Sequence, residues 1–304
     1  MKITNLTLAF LAAAAVGSIF AVNHEDLEKF QKTGTCNKCD LSYADLRKDI
    51  ENLRIMGKSI DLSGSDLSGS NMADANLKNA NLNKCKLINA NLSVAMMTKA
   101  NLQEANLEKC NLWAADLRDA NLREVNLNEA KLEGTDLSGA NLQEANLKKC
   151  DLTCAKLIGA NLKKVNAQHL NFRFADLTNA NFTDANLKKV NAVLAKFNNA
   201  CFIRTDFSKA DLRCANFSKA NLDSTKFDNA SMHLTNFKGA TILGATTFLK
   251  TKGLFPDFRG VTWDKKAKNN LRKSWFINPH LDRTVENEIR IKSIKDTFSC
   301  PFTN

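Results

Sequence analysis

The chain has 304 residues, of which 44% are hydrophobic and 25% are charged, and its 43 basic residues outnumber 32 acidic ones for a formal net charge of +11. This composition excludes a disordered low-complexity chain and a bundle of membrane-spanning helices. One tyrosine and four histidines offer few groups for catalysis. All three prolines fall after residue 255, which is unusual for a chain of this length.

The first 21 residues have the pattern of a secretory signal peptide. Lys2 precedes an apolar segment from Leu8 to Phe20, and a run of small residues ends at Ala21. The segment is too short for a membrane span, so we predict cleavage near Ala21 and a periplasmic or secreted protein that is not transmembrane after cleavage. The alternative is a buried N-terminal helix.

Residues 22–59 are predicted to form an N-terminal cap. Asn23 followed by acidic residues, the apolar pair Leu27 and Phe30, and Gly34 predict a short capped helix. Cys36 and Cys39 follow at once in a C-x-x-C spacing, which alone is compatible with a redox, a metal-binding or a structural role. Further on, the apolar residues between Ile50 and Met56 fit no regular pattern, and we expect a bulged or looped coil there.

A period of five residues dominates residues 60–247. From Leu62 to Ile242 a central apolar residue recurs every five positions in 37 units without a slip, and it is Leu in 23 of them and Phe in 8. A second column two residues earlier is Ala in 23 units, and neither column contains a charge. Since five matches neither the helix period nor the strand period, the chain must turn once per unit, and four turns close a coil of twenty residues.

Units such as Ala75-Asn76-Leu77 and Ala115-Asp116-Leu117 resemble the A-(D/N)-L-x-x motif of the pentapeptide repeat family. The resemblance implies an all-β fold, a right-handed quadrilateral parallel β-helix of about nine coils, with coils ~4.8 Å apart. Similar C-x-x-C-D-L segments in the family favour a structural disulfide between Cys36 and Cys39 over a redox or metal site. We therefore expect no metal.

The five-residue pattern fades after Ile242, and residues 248–304 are expected to form a partly helical cap or dimerisation segment. Helices are predicted over Asp264–Phe276 and, more weakly, over Thr284–Ile294. Of the remaining seven cysteines, three fall in the small inward column, three should face outward, and Cys300 lies in the C-terminal tail. The inward ones are Cys85, Cys110 and Cys150; the outward ones are Cys154, Cys201 and Cys214.

Comparison of residues twenty apart reveals an apolar column on one side of the predicted rod. We call it the apolar strip: Val94, Ala114, Gly134, Cys154, Phe174, Leu194, Cys214 and Leu234. Trp113 and Val193 lie beside it. A continuous exposed apolar surface usually marks an interface, so we expect a protein partner or a homodimer here, or coverage by the protein's own C-terminal tail.

A second candidate surface is basic and consists of Lys148, Lys149, Lys188 and Lys189. Aromatic residues do not interleave with these lysines, as they do where proteins stack nucleic-acid bases, so we expect no specific nucleic-acid binding. A solvated face is the simpler interpretation. Weak contact with an anionic surface is the alternative.

These features favour a non-enzymatic binding scaffold without a cofactor. The sequence provides no nucleophile–base pair and no phosphate-binding loop, and the histidines are far apart. The family resemblance suggests an alternative function, because some members mimic DNA and modulate gyrase or topoisomerase. That mimicry needs an acidic surface, whereas residues 61–250 hold 24 basic and 19 acidic side chains.

Overall fold

The computed structural model describes residues 22–271 and 275–277, so the expected signal peptide and the helix expected at Thr284–Ile294 lie outside the described residues. The chain forms a parallel β-helix in which each coil bridges to the next at a fixed register. Bridges from Asp61 to Thr241 join residues twenty apart and define nine regular coils. Four five-residue units complete each coil, as the period predicted.

Each unit makes one tight turn. The amide of the residue three positions after the centre donates to the carbonyl of the central residue, as from Ala95 N to Leu92 O at 3.2 Å. The residue two positions after the centre, which points outward, has positive φ in every unit from Gly64 to Gly244. A positive φ at the third position of a hydrogen-bonded turn is the signature of type II. Three of the other four amides donate between coils, and the amide that follows the central residue donates in most units to the Asn or Asp side chain two positions earlier, as Ser93 N does to Asn91 Oδ1 at 3.2 Å. Proline would remove one of these hydrogen bonds, which explains its absence from the repeat region.

Both inward columns are buried along the whole rod. The central column is mostly Leu in the N-terminal half and Phe in the C-terminal half, where rings of successive coils stack, as between Phe197 and Phe217 with centroids 4.8 Å apart. The threonines of the small column donate to a backbone carbonyl of the previous coil, as Thr205 Oγ1 does to Phe182 O at 2.7 Å, whereas Ser70 Oγ donates to Leu67 O of its own coil. Cys85, Cys110 and Cys150 are buried as predicted.

The predicted N-terminal helix is present as α1, His24–Thr33, with Asn23 as its N-cap and Gly34 in the left-handed conformation at its C-cap. Phe30 is fully buried against the first coil. A side-chain oxygen of Asp26 accepts a 2.8 Å hydrogen bond from the amide of Asp40, so the helix is bonded to the rod.

The coil after Leu46 is irregular, as expected, but the extra residues form a helix and not a bulge or a loop. The segment forms helix α2, Arg47–Ile55, which replaces one side of a first coil lengthened to 26 residues between Thr35 and Asp61. Ile50 and Leu53, three residues apart on one helix face, are buried in the core. The Arg54 guanidinium donates to the carbonyls of Asn76 and Lys78 at 2.9 and 2.6 Å, two groups that the missing strand leaves open.

The β-helix also continues beyond the expected boundary at residue 247. One extra residue after Ile242 increases the spacing between bridged residues from 20 to 21. The five-residue pattern of the sequence is interrupted there, although the coils continue. Phe248 and Phe258 fill the centre of the added coil. Strand β1, Thr241–Ile242, pairs in parallel with β3, Thr262–Trp263, and β2, Lys252–Leu254, pairs with β4, Trp275–Ile277.

The predicted helix over Asp264–Phe276 is shorter than expected. It forms α3, Lys265–Leu271, and the chain is extended again in β4. Asp264 begins the helix, since its carboxylate accepts from the amides of Gly244 at 2.6 Å and Ala267 at 2.7 Å. The carboxylate therefore ties α3 to the coil beneath it.

Candidate interaction surface

The apolar strip lies in one column over eight successive coils. The bridge series Asn91, Asn111, Lys131, Asp151, Asn171, Asn191, Asp211 and Ser231 keeps its residues in register. Val94 is 44% exposed and Phe174 41%, Gly134 and Cys154 are exposed, and the other four members are partly buried. The predicted alignment is therefore present in the described part of the chain, and half of its members are exposed.

Every residue of the strip occupies the turn position with positive φ. Val94 has a φ of 61°, Phe174 59° and Leu194 61°. Asn, Asp and Gly tolerate this conformation, whereas for branched or bulky residues it is unfavourable. Backbone preference therefore does not account for the apolar residues. The equivalent column of the next side has the expected polar and glycine composition: Lys99, Asp119, Gly139, Gly159, Asn179, Asn199, Lys219 and Gly239.

The column beside the strip combines aromatic, acidic and basic side chains. Trp113 is 54% exposed, and the next residue of the column is Glu133, whose buried Oε2 atom has no hydrogen-bond partner among the described residues. Two coils further, the Arg173 guanidinium lies 5.4 Å from the centre of the Phe174 ring. Arg173 forms no ion pair within the described part of the chain. The flank thus carries one partly buried carboxylate and one exposed guanidinium, neither of which forms an ion pair in the described residues.

The strip is longer than the sequence indicated. Phe255 follows Leu234 in the same column after the one-residue shift, again with positive φ, at 53°. His233 lies beside them, and its Nδ1 atom accepts a 3.2 Å hydrogen bond from the amide of Leu254. Burial is the main cause that lowers the pKa of His233, followed by the charge of Arg213. The shift to period 21 hid Phe255 from a search at period twenty.

The basic candidate is partly neutralised. Lys149 Nζ lies 2.9 Å from Glu129 one coil away, and Lys188 Nζ lies 3.3 Å from Asp206. Lys148 and Lys189 form no ion pair within the residues described. The four lysines therefore lie on one side, as predicted, but two of the four charges are used between coils, which the sequence did not reveal.

Cys36 and Cys39 form a disulfide in the first coil, with Cα atoms 5.6 Å apart. Together with Asp26 they bring three potential ligand atoms within 4.8 Å of one another. Sulfurs that are bonded to each other do not provide the thiolates that zinc requires, and the Asp26 carboxylate already accepts from Asp40. In this oxidised form the three residues fix the junction between α1 and the rod.

Ion pairs and shielded thiols account for many of the polar groups of the rod. Among the described residues, charged side chains pair between coils, as Arg204 does with Asp184 at 2.6 Å. Burial raises the pKa of the Cys85 and Cys150 thiols to about 12, so these thiols are unreactive. Within the same residues, no helix has the length and apolar character needed to cross a membrane.

The family described as Pentapeptide repeats matches this chain in eight copies, over residues 59–93, 75–113, 115–153, 155–191, 193–228 and 215–246. No curated protein matches the sequence.

Among solved structures, HetL, a pentapeptide repeat protein involved in heterocyst differentiation regulation in the cyanobacterium Nostoc sp. strain PCC 7120, is 27% identical over 76% of this chain and 97% of its own, with a TM-score of 0.39. A pentapeptide repeat protein from the thylakoid lumen of Arabidopsis thaliana is 27% identical over 41% of this chain and 70% of its own (TM-score 0.25). Rfr23 from Cyanothece 51142 is 24% identical over 53% and 96% (TM-score 0.21). With its eight matched copies and its twenty-residue coils of four five-residue units, the chain belongs to the pentapeptide repeat family of right-handed β-helices.

Proposed function

We propose that this protein is a non-enzymatic scaffold that binds a protein partner through the apolar strip. The observation that carries the proposal is that Val, Leu and Phe occupy the positive-φ turn position on one side of the rod, whereas polar, charged or glycine residues occupy it on the other three sides of the repeat region. The unfavourable positive φ of these residues is offset if their side chains are buried by a partner. Trp113, half exposed beside the strip, supplies the kind of aromatic anchor that dominates binding energy at protein interfaces.

The scaffold acts outside the cytoplasm in this proposal. The apolar segment before Ala21 supports export, and the Cys36–Cys39 disulfide is compatible with an oxidising compartment. The N-terminus of the protein recovered from the periplasmic fraction or the medium tests this part. We expect Val22 as the first residue, and an unprocessed chain confined to the cytoplasm would contradict export.

The alternative of a DNA-mimicking gyrase modulator lacks the acidic surface that it needs. The three glutamates that stack in one column, Glu104, Glu124 and Glu144, are each paired with a cation. Their partners are Lys84 at 3.5 Å, Arg123 at 2.5 Å and Lys164 at 3.1 Å. The described rod therefore presents alternating charge where mimicry requires continuous negative charge.

A matched pair of variants tests the scaffold proposal. Phe174→Lys combined with Leu194→Lys places two charges in the strip, and Asn179→Lys combined with Asn199→Lys places them at the same turn position of the next side. Mature protein from residue 22 is used to capture partners from an envelope extract. We expect the strip variant to lose the partner that the wild type and the control variant retain, because charges in a desolvated contact are costly. Equal capture by all three proteins would exclude the strip as the contact.

A further inference from the structure

The residues before Cys154 in the strip, and in the flanking column that contains Trp113, Glu133, Arg173 and Val193, are complementary to the residues at the same distance after it. We propose that a second copy of this chain binds along the strip, antiparallel to the first, with a two-fold axis at the level of Cys154. This inference rests on the proposed function and names the partner. The two-fold axis lies in the plane of the interface and is perpendicular to the long axes of both rods. This symmetry reverses the order of the coils in the second copy, and each column faces the same column of that copy.

The sizes of the strip residues match in this arrangement. Phe174, one coil after Cys154, faces Gly134 of the second copy, which lies one coil before it. Leu194, two coils after, faces Ala114. Each large side chain thus meets the smallest residues of the strip, and the symmetry repeats both pairs. Large-to-small pairing of this kind lets two surfaces interdigitate without voids.

The charges of the flanking column match in the same register. Glu133 lies one coil before the axis and Arg173 one coil after it, so each faces the other across the interface. Glu133 has no ion pair in the described residues and gains a cation, and Arg173, likewise without an ion pair there, gains a carboxylate. Trp113 and Val193, two coils from the axis on either side, form an apolar pair.

Other antiparallel registers lose this match. With the axis half a coil step toward Phe174, Glu133 faces Val193. With the axis half a step toward Gly134, Glu133 faces Thr153 and Arg173 faces Trp113. With the axis at the level of Phe174, Glu133 faces Arg213, whose guanidinium is already bonded to Asp211 at 2.6 and 2.8 Å. The register at Cys154 is the one in which the unpaired carboxylate meets the unpaired cation.

The contact is long and narrow, and its small area determines which protein concentrations the experiment must cover. Seven coil levels, from Val94 to Cys214, span about 29 Å at ~4.8 Å per coil. Two residue columns are roughly 10 Å wide, so each copy contributes about 300 Å² in projection, less than half of the about 800 Å² per partner that is standard for stable interfaces. We therefore expect a reversible dimer with a dissociation constant in the micromolar range.

Charge reversal provides the first test. Sedimentation of the mature protein from residue 22 is measured from about 1 to 500 μM, a range that brackets the affinity expected of so small an interface. Glu133→Arg and Arg173→Glu, each alone, should weaken dimerisation about tenfold or more, since each places like charges opposite one another. The double variant restores opposite charges at both symmetric contacts and should recover wild-type affinity. A wild type that stays monomeric throughout, or a double variant as weak as the singles, overturns the proposal.

Cross-linking provides the second test, and it does not depend on any core substitution. A bismaleimide that spans about 10 Å, the separation of packed sheets, joins two thiols by addition across its two double bonds and consumes no oxidant. In a Cys201→Ser/Cys300→Ser background, one variant carries Cys214→Ser and keeps Cys154, and the other carries Cys154→Ser and keeps Cys214.

Cys154 lies at the axis, whereas the two copies of Cys214 would be six coil steps apart, about 29 Å. We expect covalent dimers from the Cys154 variant alone. Equal cross-linking of both variants, or of Cys214 alone, would contradict the register. A monomer that still captures another protein in the extract experiment, with loss in the Phe174→Lys/Leu194→Lys variant, would refute the dimer and leave the scaffold proposal standing.

Discussion

The stacked phenylalanines in the C-terminal half of the rod make a quantitative prediction about Phe217. Its ring is fully buried and stacks on Phe197 below and Phe237 above, with centroid distances of 4.8 and 5.2 Å. Phe217→Ala removes the ring and leaves a cavity, and core Phe→Ala changes cost about 3–5 kcal/mol. Aromatic pairs add about 0.5–1.5 kcal/mol each beyond the buried area, so two stacked partners place the expected loss toward the upper end of that range.

Phe217→Leu is the matched control, because Leu occupies the same position in most other units. We expect a loss of less than about 1.5 kcal/mol, as for other substitutions that keep the position hydrophobic and nearly fill its volume. Urea unfolding followed by far-ultraviolet circular dichroism measures both variants. Since each coil contacts its neighbours alone, hydrogen exchange should lose protection mainly around Phe217. An alanine variant within 1 kcal/mol of the leucine variant would refute the stacked-core argument.

Three further predictions follow from named contacts. Arg54→Ala exposes the carbonyls of Asn76 and Lys78, so we expect a loss of about 1–3 kcal/mol, with faster hydrogen exchange in α2 and not in distant coils. Replacing Cys36 and Cys39 by Ser opens a loop so short that the chain-entropy cost is at most about 2 kcal/mol, and proteolysis should begin in α1 while the rod stays intact. The Arg118 guanidinium lowers the pKa of Asp116 to about 2, so its stabilisation is present above its unfolded pKa and is lost as pH falls through about 2; carbon-13 titration of the carboxyl should show this midpoint, and a midpoint near 3.8 would contradict the pairing.

The repeat region was predictable because the coil repeats one physical requirement every five residues. A residue such as Leu147 must fill the axis, and its neighbour two positions earlier, Ala145, must be small enough for the turn. Any charge in either column would be buried without a partner. These constraints predicted the fold, the inward cysteines and the alignment of the strip.

The irregular parts were harder to predict because single departures hide a periodic signal. The helix α2 buries two residues, Ile50 and Leu53, on one face. An apolar pattern of two residues is too short to indicate a helix where the five-residue repeat is also interrupted. One added residue after Ile242 concealed the coil that holds Phe248 and Phe258. The unpartnered oxygen of Glu133 and the ion pairs of Lys149 and Lys188 depend on side-chain conformations across coils, which residue spacing does not determine.

The central claim is that the apolar strip is an interface, and photo-cross-linking in the producing cell tests it most directly. A photoreactive phenylalanine analogue is placed at Phe174 in one protein and at Asn179, the same turn position on the next side, in another. We predict a discrete covalent adduct from position 174 and none from position 179. An absence of adducts at 174, or equal adducts at both positions, would contradict the assignment of the strip as the binding surface.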